Sequence, residues 1–278
     1  MKFYIFIIGL ISGSFITALV WRTYQQNNES VNKKSFKLQG VNLSITTGRS
    51  LCPNCEHQLG TFDLVPLLSW LLLRGKCRYC KKSIPALYPL TELSTAMLFL
   101  LCYLFWPYTL TGTGLFGFVS WLIILTGLIA LVIFDFKWML LPDKITYILI
   151  VIALMRLVVL VLLTKDPNLI LGAVWGILVL FGLFYIIFQI SGGKWIGGGD
   201  VKLGFLLGIL VGGPLMSMLI LFISSFLGTL YSLPLILNRT NTKKHKIIPF
   251  GPFLITATII VVLFGSQLIY WYKSRLSL

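Results

Sequence analysis

Four of the five cysteines fall in two pairs, Cys52-Pro53-Asn54-Cys55 and Cys77-Arg78-Tyr79-Cys80, with 21 residues between them. Each pair can present two thiolates from one tight turn, and two such turns complete a tetrahedral zinc shell. Four protein ligands leave no open position, so a metal here would be structural. The flanking Lys76, Arg78, Lys81 and Lys82 favour ionised thiols. The acids number only eight in 278 residues, among them Asp135, Asp143 and Asp200 at the ends of apolar segments. Two carboxyl groups that share a proton supply a general base to activate water and a general acid to protonate a leaving amine. Their titration then belongs to the pair. Gly197-Gly198-Gly199, directly before Asp200, suits close approach of an extended peptide. Two other readings of the aspartates stay open: a proton or ion pathway, and helix caps, with Asp143 after Pro142 as the plainest candidate.

These residues sit in a chain that is 57% hydrophobic and 11% charged, with mean hydropathy +0.92. A soluble domain carries about 25% charged residues, so a soluble globular enzyme is excluded. Apolar blocks at 3–20, 90–106, 114–134, 145–164, 169–190 and 248–271 are each long enough to span a bilayer as helix. The run from Leu203 to Leu237 is too long for one span and is divided by Gly212-Gly213-Pro214. The expected fold is an all-α polytopic membrane protein. It has about eight transmembrane helices, with a cytoplasmic four-cysteine zinc loop between the first two.

The net charge of +15 is set by topology. Placing the N-terminus outside puts eighteen of the 23 Lys and Arg residues in cytoplasmic segments, as the positive-inside rule requires. The basic loops therefore point to membrane lipid as a partner and not to nucleic acid. The block from Phe3 to Val20 reads as a retained helix, since no small-residue cleavage site follows it. The expected divisions are a first helix at 1–22, a cysteine loop at 23–88 and a seven-helix domain at 89–278. Phe62 to Arg74 is too apolar for a free loop and is expected on the bilayer surface or against the helices. Cys102 reads as a small buried residue and His57 as solvated. Arg156, inside a span, suggests snorkelling or pairing with an acid.

Taken in order along almost the whole chain, these features resemble the prepilin peptidase (type 4 leader peptidase) family. The matching segments are Gly13-Ser14-Phe15 with Arg22, Arg49-Ser50-x-Cys52-Pro53-x-Cys55, Asp63-Leu64-Val65-Pro66, Ser69-Trp70-Leu71, Arg74-Gly75-Lys76-Cys77-Arg78-x-Cys80 and Tyr88-Pro89-x-x-Glu92-Leu93. Asp135 with Leu141-Pro142-Asp143, then Gly197-x-Gly199-Asp200-x-Lys202 and Pro249-Phe250-Gly251-Pro252-Phe253, complete the set. Thr17 departs from the family's usual Asn. The resemblance implies a GxGD-type aspartic peptidase with Asp135 and Asp200 as the catalytic pair, and Asp143, Gly197, Gly199 and Lys202 in support. It implies cleavage of the short basic leader of prepilin or pseudopilin substrates after a Gly. N-methylation of the new terminus with S-adenosylmethionine, and a site in the bacterial inner membrane facing the cytoplasm, are implied too. The donor-binding residues are not assigned: Arg22 and Glu92 are candidates for that role or for a structural ion pair. A peptidase without methyl transfer, a proton-coupled transporter and a non-catalytic assembly factor are the rival readings. The client and the oligomeric state are not encoded in these motifs.

Overall fold

A computed structural model describes residues 1–31, 48, 50–237 and 248–275. Arg49 and the basic residues Lys33, Lys34, Lys37, Arg239, Lys243, Lys244 and Lys246 lie outside them. The described residues are helical, with two isolated β-bridges and no extended strand. They divide into two compact units, Met1–Leu104 and Phe105–Leu278.

In the first unit, α1 (Lys2–Val31) packs along α3 (Leu87–Leu104). Between them lie the cysteine loop, a 3-10 turn η1 (Thr61–Leu64) and a short helix α2 (Leu68–Leu72). Backbone approach fixes the α1–α3 contact. A Cβ added at Gly9 would come within 2.5 Å of the Ala96 Cα, and one at Gly13 within 2.5 Å of the Glu92 Cα. Gly9 and Gly13 are four apart and so share one helix face, the small-residue spacing by which membrane helices come close without a hydrophobic driving force. The expected first helix at 3–20 proves longer: the polar residues after Arg22 continue the helix to Val31 without an apolar signal. The apolar stretch at 62–74 forms η1 and α2, with Phe62 and Leu72 exposed.

The second unit contains α4 (Gly112–Trp138), α5 (Asp143–Thr164), α6 (Asn168–Ser191), α7 (Gly198–Val211), α8 (Pro214–Leu237) and α9 (Gly251–Arg275). The break at Gly212-Gly213-Pro214 falls as expected, with Gly212 at φ +58° and Gly213 at φ +107°. The Gly213 N–H donates to the Gly172 carbonyl at 2.6 Å, so the break keeps its backbone satisfied.

Among the described residues, seven helices are long and apolar enough to span a membrane, and the chain is a multi-pass membrane protein. The eighth piece, α7, has 14 residues, about 21 Å at 1.5 Å per residue, which is short of a bilayer core. It is held by protein instead. Gly204, Gly208 and Gly212 recur every fourth residue; Gly204 packs on Leu180 and Phe184, Gly208 on Gly176, and Gly212 on Gly172. A Cβ at Gly176 would lie 2.3 Å from the Gly208 carbonyl oxygen. Large apolar residues exposed on α5, α6 and α8, among them Leu162, Ile186 and Phe222, suit contact with lipid.

Candidate active site and metal centre

Asp135 lies in the last turn of α4, where Met139 caps the helix in the left-handed conformation, φ +52°. The Met139 N–H donates to the Asp135 carbonyl at 2.9 Å. The Asp135 side chain is buried, and its Oδ2 has no hydrogen-bond partner among the described residues. Buried polar atoms are nearly always paired, so an orphaned carboxylate oxygen calls for an explanation. Oδ2 faces the first residue of α9: a Cβ at Gly251 would approach it to 2.5 Å and would also touch Leu203 of α7 at 3.6 Å.

Asp200 is in the first turn of α7, whose cap is Gly197 and not Asp200. Its position near a helix N-terminus favours a negative charge, but burial, and then the neighbouring charge of Asp135, oppose it. The two carboxylates therefore share one locality, although 64 residues of chain separate them. Gly199 rests against Leu141 of the α4–α5 link, where a Cβ would meet the Leu141 side chain at 3.1 Å.

Asp143 is the first residue of α5, and Pro142 occupies the cap position, so the capping role expected for Asp143 is corrected. Asp143 pairs with Lys202, Nζ to Oδ1 at 2.6 Å, and the ammonium also stands 5.4 Å from the centre of the Tyr147 ring. Lys202 thus ties the start of α7 to the start of α5. Gly197 is exposed at the mouth of this cluster. Gly251 belongs to the Pro249–Phe253 segment that contributes to the family resemblance, but no feature of the sequence assigns it a role beside Asp135.

The cysteine loop consists of two copies of one turn. In the first, the Cys52 N–H donates to the His57 carbonyl at 3.0 Å and the Glu56 N–H to the Cys52 carbonyl at 2.8 Å. The second repeats this with Cys77 to Lys82 at 2.8 Å and Lys81 to Cys77 at 3.0 Å. Glu56 and Lys81, each directly after the second cysteine of its pair, both take positive φ, 56° and 59°. The turns are closed by the bridges Leu51–Gln58 and Lys76–Ser83.

All four sulfurs lie within 4.8 Å of one another, positioned to bind a metal ion. Cys52 Sγ to Cys80 Sγ is 3.9 Å, against about 3.8 Å for thiolates on a tetrahedral zinc with 2.3 Å bonds. Burial alone would push the Cys77 thiol up, but backbone N–H groups of Cys80 and Tyr79, with the Cys52 and Cys80 thiols, bring it down to about 7. At Cys55 the His57 backbone favours the thiolate. Desolvation and the neighbouring sulfurs outweigh that and push it up to about 11. Sulfurs so crowded cannot all ionise without a cation between them. His57 is exposed and stacks on Tyr79 at 3.6 Å between ring centres, away from the ligand set.

Other expected residues are accounted for. Cys102 is fully buried. Arg156 donates from Nε to the Ser120 hydroxyl at 3.1 Å, a polar contact inside the second unit. Glu92 accepts from the Leu67 N–H at 2.8 Å. Thr17 bonds the Ser14 carbonyl of its own helix at 2.8 Å.

Residues 7–106 match the family model described as the bacterial peptidase A24 N-terminal domain, and residues 122–233 match the type IV leader peptidase family. Among curated relatives, a protein of Aeromonas salmonicida named prepilin leader peptidase/N-methyltransferase is 33% identical over 98% of this chain and 94% of its own length. A Pseudomonas aeruginosa protein of the same name is 31% identical over 94% of this chain and 90% of its own. An Escherichia coli type 4 prepilin-like proteins leader peptide-processing enzyme is 34% identical over 88% and 87% respectively. No solved structure matches.

Proposed function

The chain belongs to the type IV leader peptidase family, and from that premise we propose that it is a membrane aspartic endopeptidase with Asp135 and Asp200 as its catalytic pair. The observation that carries this is the unpartnered, buried Oδ2 of Asp135 within the field of a second carboxylate at the start of α7. A water molecule held at that oxygen would be the nucleophile.

In the proposed reaction the ionised member of the pair takes a proton from that water as its oxygen attacks the scissile carbonyl carbon. The protonated member then gives its proton to the amide nitrogen, and the C–N bond breaks. The products are a leader with a new C-terminal carboxylate and a substrate with a new amino terminus. The glycines at 197–199 leave room for an extended peptide beside the carboxylates. Asp143 and Lys202 hold the α5 and α7 ends in place. By resemblance the bond follows a Gly and precedes the apolar segment of a prepilin-like protein. That segment is itself a membrane helix, so its scissile bond lies at the bilayer edge. The bias of Lys and Arg sets this edge on the cytoplasmic side of the inner membrane, with the N-terminus outside.

The named relatives support a second step, N-methylation of the new terminus. S-adenosylmethionine, when bound, would supply the methyl group for this step. Zinc fits Cys52, Cys55, Cys77 and Cys80 in a structural role.

The test is incubation of the purified protein with a leader-bearing substrate and S-adenosylmethionine, read by mass spectrometry of the product N-terminus. Wild type should remove the leader and add 14 Da, roughly one methyl in place of a hydrogen. Asp135→Asn and Asp200→Asn should each lower cleavage by about 10²–10⁴-fold, the usual worth of a general acid or base, with the protein still inserted. Cleavage at the wild-type rate by either variant removes that residue from the mechanism.

A further inference from the structure

Between the spanning helices of the first unit, residues 62–72 leave six large apolar side chains exposed: Phe62, Leu64, Val65, Leu68, Leu71 and Leu72. Phe62 and Leu72 are 80% and 82% exposed and touch little of the protein. So dense an exposed apolar patch outside a span marks an interaction surface. Directly after it in the chain come Arg74, Lys76, Lys81 and Lys82, all exposed and without an ion pair among the described residues. The one acid within the segment, Asp63, is taken up by Arg78, Nε to Oδ1 at 2.7 Å. The surface is therefore apolar, with a purely cationic flank.

The helices beside it fix its depth. The Leu67 N–H donates to Glu92 Oε2 at 2.8 Å. Glu92 also bonds the Ser14 side chain, and a Cβ at Gly13 would come within 2.5 Å of the Glu92 Cα. Leu67 thus lies near the level of Ser14, six residues before the apolar block of α1 ends at Val20. At 1.5 Å per residue that is about 9 Å inside the block. On α3 the same level is five residues past Leu87, or about 7.5 Å from the start of that helix. Both helices are long and apolar enough to span a membrane. Backbone at such a depth must find its partners within the protein. Pro66 has no N–H, and Leu68 and Ser69 donate to the carbonyls of Pro66 and Val65 at 2.6 and 3.1 Å. The bend at Leu67, φ +59°, turns its N–H onto the Glu92 carboxylate. Glu92 thereby satisfies a donor that water would satisfy in an exposed loop.

We propose that residues 62–72 insert as a wedge into the leaflet at the Arg22 end of α1. The apolar side chains lie among the acyl chains. Arg74, Lys76, Lys81 and Lys82 lie at the lipid phosphates, whose negative charge complements theirs. Trp70 joins the wedge to the cysteine turns: its indole N–H donates to the Ile84 carbonyl at 3.3 Å, and Gly75 packs on its ring. The bilayer thus holds the cysteine module by a contact additional to the two flanking helices. The aspartate chemistry plays no part in this; only the leaflet's name, cytoplasmic, follows from the orientation proposed above.

The test is photo-cross-linking of the full-length protein in vesicles of phosphatidylethanolamine and phosphatidylglycerol. p-Benzoylphenylalanine, which inserts into nearby C–H bonds on irradiation, replaces Leu72 in one variant and Phe62 in another. Both side chains are exposed, so the fold should tolerate the change, and either variant serves if the other fails to insert. Mass spectrometry after proteolysis locates the adducts, which should fall on phospholipid acyl chains. Adducts confined to lipid headgroups, to a second copy of the chain or to other parts of the same chain overturn the insertion, as does the lack of any adduct. Adding Leu68→Glu and Leu71→Glu to the Phe62 variant should lower the acyl-chain yield at least fivefold with unchanged metal content. An undiminished yield from that folded variant also overturns the wedge.

Discussion

At Gly251 one hydrogen stands where any other residue would set a methyl 2.5 Å from Asp135 Oδ2. Gly251→Ala must therefore push the carboxylate aside or displace the end of α9. Its expected effect is a loss of leader cleavage of about tenfold or more, since misplacement by roughly 1 Å can cost 10²-fold. A kinetic assay beside a melting curve separates this from unfolding. The Asp143–Lys202 pair is half-exposed, and exposed pairs contribute only about 0–1 kcal/mol of stability. Asp143→Asn should thus leave the melting temperature nearly unchanged while slowing cleavage, because what it loses is the tie between α5 and α7. The acids were legible in the sequence because they are so few in an apolar chain. Gly251 was not, since a glycine in a close approach carries no chemical signature of its own.

The spans were legible because lipid demands long apolar helices, and the observed elements follow the apolar blocks to within a few residues for α3 to α6. The ends beyond them were not. The last turns of α1 are polar and helical, which no hydropathy pattern marks. The contacts that set helix positions were present as a four-residue glycine spacing, masked by the uniformly apolar residues between. Gly208 is the clearest: its Cβ would fall 2.7 Å from the Gly176 backbone. Gly208→Val should separate α6 from α7, destabilise the fold by about 1–3 kcal/mol as overpacking does, and reduce cleavage. Gly182→Ala, which meets nothing within 4 Å, is the matched control and should behave as wild type in both melting and activity.

On the scale of the chain, the cysteine turns and the aspartates belong to different compact units, and a lesion in one should be separable from a lesion in the other. Cys52→Ser is expected to lower bound zinc and N-terminal methylation together, while leader removal persists. Elemental analysis and the mass of the processed product check both at once. Metal retained at full stoichiometry would exclude Cys52 as a ligand. The four-cysteine cluster was legible from spacing alone, because thiolates within a turn have few other arrangements. A cavity beside it, lined by α1, the cysteine loop and the start of α3, was not, since its walls come from segments far apart in sequence. One consequence concerns inheritance. Seven residues of α7 lie between Asp200 and Gly208, which is wedged on α6, and helix geometry makes that stretch a ruler. Inserting or deleting a single residue within it would turn the carboxylate by about 100° and slide it by about 1.5 Å. Side chains along this ruler can drift through generations, but its length cannot, so insertions and deletions should collect in the loops and be purged from this stretch.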